Sequence, residues 1–174
     1  MWRQHVEAVV ESIGEPGTFL VGHSGAGPLL PLVAEQRDVA GMLFVDAFPS
    51  QRVPVRDVLS TRPAPNGRGL VPAWADDETL RDLIPDEGLR RRCVAEMAGL
   101  PEEYFTEVIP EPTNAAVACG LLLFSEAYRV AAEDMRRLEA PVREIRGGHF
   151  HMLVDPVGVA DAIIGLAREI RGLE

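Results

Sequence analysis

Three uninterrupted apolar runs alternate with amphipathic segments along the chain. The runs cover residues 17 to 22, 40 to 46 and 116 to 124, and a fourth strand with alternating polarity is predicted at 141 to 146. Apolar runs of this length, separated by helices, are typical of parallel strands that are buried on both faces. The pattern therefore predicts an α/β fold with a short, mostly parallel sheet of about four strands.

Apolar residues at helical spacing predict the helices that flank this sheet. They cover residues 2 to 14, 26 to 37, 127 to 138, and 155 to about 171.

Residues 49 to 113 differ in character, because nine of the 14 prolines of the chain lie there. Short helices are predicted within this segment at 76 to 83, 86 to 98 and 101 to 107. A helical insertion between two strands is typical of a cap over the strand ends, and such segments commonly set substrate choice. We therefore expect one domain, with a core formed by 1–48 and 114–174 and a cap insertion formed by 49–113.

Composition and charge narrow the classes of function. The net charge of −10 argues against nucleic acids and anionic membranes as partners. The cysteines, Cys93 and Cys119, are far apart and no apolar signal segment begins the chain, so we expect a cytoplasmic protein. No phosphate-binding glycine motif and no zinc-type spacing of His and Cys is present, so we expect no cofactor and no metal.

Residues 22 to 27 read Gly-His-Ser-Gly-Ala-Gly, between a predicted strand and a predicted helix. A serine in this setting sits in a sharp nucleophile elbow, which requires small residues two positions before and after it. Gly22 and Ala26 occupy those positions, and Ala26 departs slightly from the glycine of the strict pattern. The turn predicts Ser24 as a nucleophile at the end of the sheet, with the backbone N–H of Gly25 as an oxyanion donor.

A serine nucleophile needs a base, and a histidine-containing loop late in the chain can supply it. The segment Gly-Gly-His-Phe-His at 147 to 151 follows the last predicted strand, so the imidazole of His149 can reach the proton of Ser24. His151 is the alternative base, although it is better interpreted as packing behind the loop. His23 adjoins the nucleophile but points away from it in such a turn, so we expect a supporting role.

The acid that would orient this imidazole is left open between two residues. Asp46 ends the second strand, which puts its carboxylate on the same rim of the sheet as Ser24. Glu126 follows the third strand, where the order Ser, acid, His commonly has its acid. We favour Asp46 slightly, and the alternative use of either residue is a helix cap or a surface charge.

Three motifs connect these residues to a known superfamily. They are Val-Gly-His-Ser-Gly-Ala-Gly-Pro-Leu-Leu-Pro at 21–31, Val-Ala-Gly-x-x-Phe-Val-Asp-Ala at 39–47 and Gly-Gly-His-Phe-His-Met-Leu-Val-Asp-Pro at 147–156. With them the chain resembles the α/β-hydrolase superfamily, in particular a group of small bacterial proteins. The resemblance implies Ser24 as nucleophile and His149 as base, and it does not settle the acid.

One departure from the superfamily has structural consequences. Complete α/β-hydrolases have about four strands before the elbow strand, whereas only one helix is predicted before it here. The missing part normally supplies a second oxyanion donor, so we expect the N–H of Gly25 to be the single oxyanion donor. The elbow strand is also expected at an uncovered sheet edge. A second copy in a homodimer, a separate partner, or a truncated chain would each account for this, and we expect self-association.

The leading hypothesis is an esterase-like serine hydrolase that acts on a small ester, thioester or lactone through a Ser-His-acid triad. One alternative keeps the fold but catalyses elimination, cyclisation or carbon–carbon bond chemistry, with His149 as base and Ser24 as hydrogen-bond donor. Another is a degenerate hydrolase that only binds a ligand. Covalent acylation of Ser24 distinguishes the first hypothesis from the others, because the fold alone does not.

Overall fold

The predicted parallel sheet forms the centre of the structure, a computed structural model that describes residues 1–51, 53–113 and 117–172. Its strands are β1 (Thr18–His23), β2 (Val39–Val45), β5 (Cys119–Leu123) and β6 (Val142–Glu144). The two remaining strands, β3 (Thr61–Pro63) and β4 (Leu70–Pro72), pair as a small antiparallel ribbon. The helices are α1 (Trp2–Ser12), α2 (Leu30–Ala34), α3 (Glu87–Glu96), α4 (Glu102–Thr106), α5 (Arg129–Arg137), α6 (His151–Val154) and α7 (Pro156–Ile170).

The four central strands lie in the order β1-β2-β5-β6, and every neighbouring pair is parallel. The register aligns His23 with Val45 and Val45 with Leu122. Since the strands all run in one direction, the residues that follow them meet at one rim of the sheet. This register brings the turn after β1, the residue after β2 and the turn after β5 side by side.

The core lies on both faces of this sheet, because alternate residues of each strand point to opposite sides. Phe44 faces the cluster that contains α1, α2 and α5, whereas its neighbours Leu43 and Val45 face the cluster that contains α7. Burial of both faces explains why β2 and β5 are uninterrupted apolar runs. The α/β class and the parallel sheet predicted from the sequence are confirmed.

Strand β1 forms an edge of the sheet, and within the described residues it pairs only with β2. Helix α7 packs against β2, β5 and β6. The corresponding face of β1 is therefore left partly open, and the side chain of Val21 is 48% exposed. An elbow strand at an uncovered edge agrees with the expectation from the sequence.

The helices that follow β1 and β5 are shorter than predicted. Instead of one helix over 26–37, the chain forms a 3-10 helix at Ser24–Leu29 followed by α2. Pro28 lies inside the 3-10 helix and Pro31 at the start of α2, and neither can donate a backbone hydrogen bond. After β5, a 3-10 helix at Glu126–Tyr128 likewise precedes α5.

The insertion at residues 49–113 contains two features that sequence patterns did not predict correctly. The segment 76–83 is a series of hydrogen-bonded turns and not a regular helix, because its backbone N–H groups bond partly to the fourth and partly to the third preceding carbonyl. The ribbon of β3 and β4 was not predicted, because each strand has three residues and ends in proline. The predicted helices at 86–98 and 101–107 correspond to α3 and α4.

The predicted strand over 116–124 corresponds to β5, and residue 116, like residues 114 and 115, lies outside the described residues. Over the part of the chain that is described, none of the helices has the length and apolar character needed to span a membrane.

Candidate active site

Ser24 directly follows β1 and begins the 3-10 helix Ser24–Leu29, in a tight turn at the rim of the sheet. Its φ angle is +55°, a left-handed backbone conformation that serine rarely adopts and that is typical of a nucleophile elbow. A side chain at Gly27 would meet the carbonyl oxygen of Phe48 at 2.5 Å, whereas Ala26 is exposed. The close approach in this turn therefore falls on Gly27, which explains why alanine fits at position 26.

His149 lies in the loop between β6 and α6, above the carboxyl ends of the strands. Its Nε2 atom is 2.9 Å from Oγ of Ser24, and its Nδ1 atom is 2.7 Å from Oδ2 of Asp46. A carboxylate only accepts hydrogen bonds, so Nδ1 carries the proton and Nε2 is free to accept one from the Ser24 hydroxyl. The side chain is 15% exposed, which leaves the imidazole open to the cavity in front of it.

Asp46 follows β2 directly and is fully buried, with 0% exposure. Its Oδ1 atom accepts hydrogen bonds from the backbone N–H groups of Phe124 and Ser125, both at 2.8 Å, and Oδ2 accepts one from Oγ of Ser125 at 2.6 Å. Burial acts to raise the pKa of Asp46, but the hydrogen bonds from His149, Ser125 and Phe124 outweigh it and lower the pKa. The carboxylate is therefore held ionised beside the imidazole.

The side chains of the two alternative site residues make other contacts. The side chain of Glu126 is 78% exposed, and both of its oxygens accept from Nε of Arg129, at 2.8 and 2.7 Å. The ring of His151 packs edge-on against Phe124, with centroids 5.6 Å apart, behind the loop that carries His149. The structure thus brings Ser24, His149 and Asp46 together and does not place Glu126 or His151 with them.

His23, the last residue of β1, contacts both the backbone and the ring of His149. Its Nε2 atom is 2.9 Å from the carbonyl oxygen of His149, and the two imidazole rings lie 4.4 Å apart. Burial, and after it the proximity of His149, lowers the pKa of His23 to about 4, so the ring is neutral at physiological pH. A neutral imidazole donates from Nε2 to this carbonyl and so connects β1 to the loop that carries His149.

The sequence analysis missed two side chains at the site, Ser125 and Tyr128. The hydroxyl of Tyr128 lies 3.4 Å from Oγ of Ser24, and its ring stacks on that of His149 at 5.3 Å with an angle of 11° between the planes. Both residues follow β5 at the same rim as Ser24. The rule that parallel strands end at one rim predicts both residues there, since they lie in the turn after β5.

A cavity of about 1360 Å³ opens in front of Ser24 and His149. Its walls are mainly apolar and aromatic, and the insertion contributes Trp74 and Leu83 to them. Among the residues that the structure describes, no three His, Cys, Asp or Glu side chains converge as a metal site requires. The cavity suits an apolar organic molecule with its reacting atom near Oγ of Ser24.

Several solved structures are similar to this chain. Polyneuridine aldehyde esterase is 16% identical with a TM-score of 0.60, and the match covers 96% of this chain and 80% of that one. Tomato methylketone synthase I, in a variant bound to beta-ketoheptanoate, is 14% identical with a TM-score of 0.65, covering 95% and 76%. A pyrethroid hydrolase from Sphingobium faniae is 20% identical with a TM-score of 0.59, covering 94% and 75%.

These likenesses extend over nearly the whole chain, and at 14–20% identity they define the fold. The chain has the α/β-hydrolase fold, with four parallel strands of the sheet present. No family model matches the sequence, and a comparison with curated protein sequences also gives no match.

Proposed function

We propose that the protein is a serine hydrolase that acts on a small ester, thioester or lactone. In this proposal Ser24 is the nucleophile, His149 the general base and Asp46 the acid that orients the base. The observation that carries the proposal is the continuous chain of hydrogen bonds from the Ser24 hydroxyl through His149 to the buried carboxylate of Asp46, at 2.9 and 2.7 Å.

In the acylation step, Oγ of Ser24 attacks the substrate carbonyl carbon while His149 Nε2 accepts the hydroxyl proton. The ionised carboxylate of Asp46 stabilises the resulting imidazolium, because it accepts the proton on Nδ1 as a hydrogen bond. Collapse of the tetrahedral intermediate breaks the bond to the alcohol or thiol. That leaving group takes the proton from Nε2, and an acyl-serine remains.

Deacylation repeats these steps with water as the nucleophile. His149 removes a proton from the water, whose oxygen attacks the acyl carbon. The second tetrahedral intermediate then expels Oγ of Ser24, which recovers its proton from Nε2. The products are a carboxylic acid and the free enzyme, so the reaction needs no cofactor.

The cavity supports a neutral, apolar substrate. Most of the wall consists of apolar and aromatic side chains, and the buried carboxylate of Asp46 gives the site a negative charge that disfavours anionic substrates. Trp74 of the insertion lies edge-on to His149, with centroids 6.2 Å apart. This contact supports a role of the insertion, residues 49–113, as a cap that sets the shape of the substrate site.

Steady-state hydrolysis of a series of 4-nitrophenyl esters tests this function. We expect turnover by the wild type, with kcat/KM rising with acyl chain length, and a loss of about 10⁴-fold or more in Ser24→Ala. Ser12→Ala is the matched control, because the Ser12 hydroxyl bonds only to the carbonyl of Val9 on α1. Equal activity of Ser24→Ala and the wild type would contradict the proposal.

A further inference from the structure

The hydroxyl of Tyr104 lies against Gly25, the residue that follows the candidate nucleophile. A Cβ atom added to Gly25 would be 2.4 Å from this hydroxyl oxygen and 3.7 Å from Cζ of the same ring. The glycine therefore leaves space that the hydroxyl occupies. The Tyr104 hydroxyl forms no hydrogen bond with any residue that the structure describes. Its O–H group therefore remains available as a donor at the cavity wall.

Packing fixes the position of this ring. Tyr104 is half-buried in α4 of the insertion, and the ring of His5 meets it edge-on with centroids 6.3 Å apart. Its neighbour Phe105, which is buried in the fold, lies edge-on at 5.2 Å. A side chain held on two sides presents its hydroxyl at a fixed place and loses little entropy on binding.

The proposed hydrolysis requires hydrogen-bond donors at the place where the oxyanion forms. When Ser24 attacks a carbonyl, the oxygen of that carbonyl becomes an oxyanion beside the N–H of Gly25. A tetrahedral oxyanion is best stabilised by two or more donors. The hydroxyl of Tyr104 lies beside this same residue, Gly25.

We propose, on the basis of the serine hydrolase function above, that Tyr104 is a catalytic residue that donates a hydrogen bond to the oxyanion alongside the N–H of Gly25. Burial, and after it the nearby Tyr128, raises the pKa of Tyr104 above its usual range, so the phenol stays protonated at neutral pH. It acts as a hydrogen-bond donor and transfers no proton.

Tyr128 is less suited to this role. Its hydroxyl is directed at Oγ of Ser24, and its ring lies flat on that of His149. It therefore sits on the side of the nucleophile and base, whereas Tyr104 sits on the side of Gly25.

The kinetic test compares Tyr104→Phe with the wild type on a 4-nitrophenyl ester. Phenylalanine keeps the ring and its packing but removes the donor, so we expect a fall of about 10²–10³-fold in kcat with little change in KM. Affinity for a trifluoromethyl ketone of matching chain length, which forms an oxyanion on serine, should fall by a similar factor. Affinity for the corresponding unreactive hydrocarbon should change less than about threefold.

A double-mutant cycle tests the placement without relying on activity. Gly25→Ala should lower the Tm of the wild type by about 2 °C or more, because the new methyl group meets the hydroxyl. In the Tyr104→Phe background Gly25→Ala should lower the Tm much less, because the nearest ring carbon is then at an ordinary contact distance.

The outcomes separate this inference from the function on which it rests. If Ser24 is needed for ester hydrolysis but Tyr104→Phe keeps kcat within about threefold of the wild type, the role of Tyr104 is wrong and the hydrolase stands. If the folded wild type hydrolyses no ester and Ser24 reacts with no acylating probe, both are wrong.

Discussion

His23 should make the free energy of unfolding of the protein depend on pH between about 4 and 6.5. Its pKa is lowered from 6.5 to about 4, first by burial and then by the proximity of His149. Between these two values the unfolded chain binds a proton that the folded protein does not. Stability is therefore fully present above about pH 6.5 and falls as the pH is lowered towards 4.

The magnitude follows from the size of the shift. One pKa unit corresponds to about 1.36 kcal/mol, so a pKa near 4 in place of 6.5 makes the folded state about 3 kcal/mol less stable at low pH. For a domain with a free energy of unfolding of roughly 5–15 kcal/mol, this is a substantial fraction of the total.

Urea unfolding of the wild type and of His23→Gln, between pH 4 and pH 7.5, measures this contribution of His23 to the free energy of unfolding. Glutamine does not titrate, and its amide can still donate to the carbonyl of His149. The difference in free energy of unfolding between the two proteins should therefore shift by about 3 kcal/mol across the window, in favour of the variant at low pH. His23→Asn serves as a second neutral replacement. A difference that stays constant with pH would refute the reasoning.

Three further predictions concern the acid, its support and the sheet edge. Asp46→Asn should lower kcat/KM for ester hydrolysis by about 10³–10⁴-fold. Glu126→Gln should change kcat/KM less than about threefold, because the carboxylate of Glu126 is paired with arginine at the surface. The opposite order of the two effects would assign the acid to Glu126. Ser125→Ala removes a hydrogen bond to a buried carboxylate and should lower the free energy of unfolding in urea by about 1.5–3 kcal/mol, and an unchanged value would show that the hydroxyl does not support Asp46. We propose that copies of the chain associate through the uncovered edge of β1. Sedimentation velocity should then detect a dimer, and Val21→Lys should weaken it. A stable wild-type monomer at micromolar concentration would contradict this.

Much of this fold could be predicted from local pattern, because a parallel sheet buried on both faces leaves a strong signal. The runs that became β2 and β5 are apolar over seven and five residues, and β1 has an apolar centre. Polar residues follow at the rim, directly after β1 and β2 and one residue later after β5. The same geometry explains why Ser24 and Asp46, the residues directly after β1 and β2, could be expected side by side.

The insertion could be predicted less well, since its structure depends on contacts between short segments. Strands of three residues that end in proline have no periodicity to detect, as in Thr61–Pro63. The turns at 76–83 have charged residues at their start and an apolar face, which is also the pattern of a helix. Leu80 and Ile84 are buried, and this burial is compatible with either structure because residues four apart share a helix face.

The position of Tyr104 could not be predicted from any motif. It lies 79 residues after Gly25, on a helix of five residues, and it reaches the site only because the insertion folds back over the rim. Only the three-dimensional arrangement brings an unbonded hydroxyl to the residue after the nucleophile.

Covalent labelling of Ser24 tests the central claim most directly. The purified protein is incubated with a fluorophosphonate, and the intact mass and the modified peptide are determined for the wild type and for Ser24→Ala. We predict one adduct per chain in the wild type, located on Ser24 and absent from the variant, because in the proposed triad His149 accepts the proton of this hydroxyl. A folded wild type that remains unmodified would contradict a covalent serine mechanism.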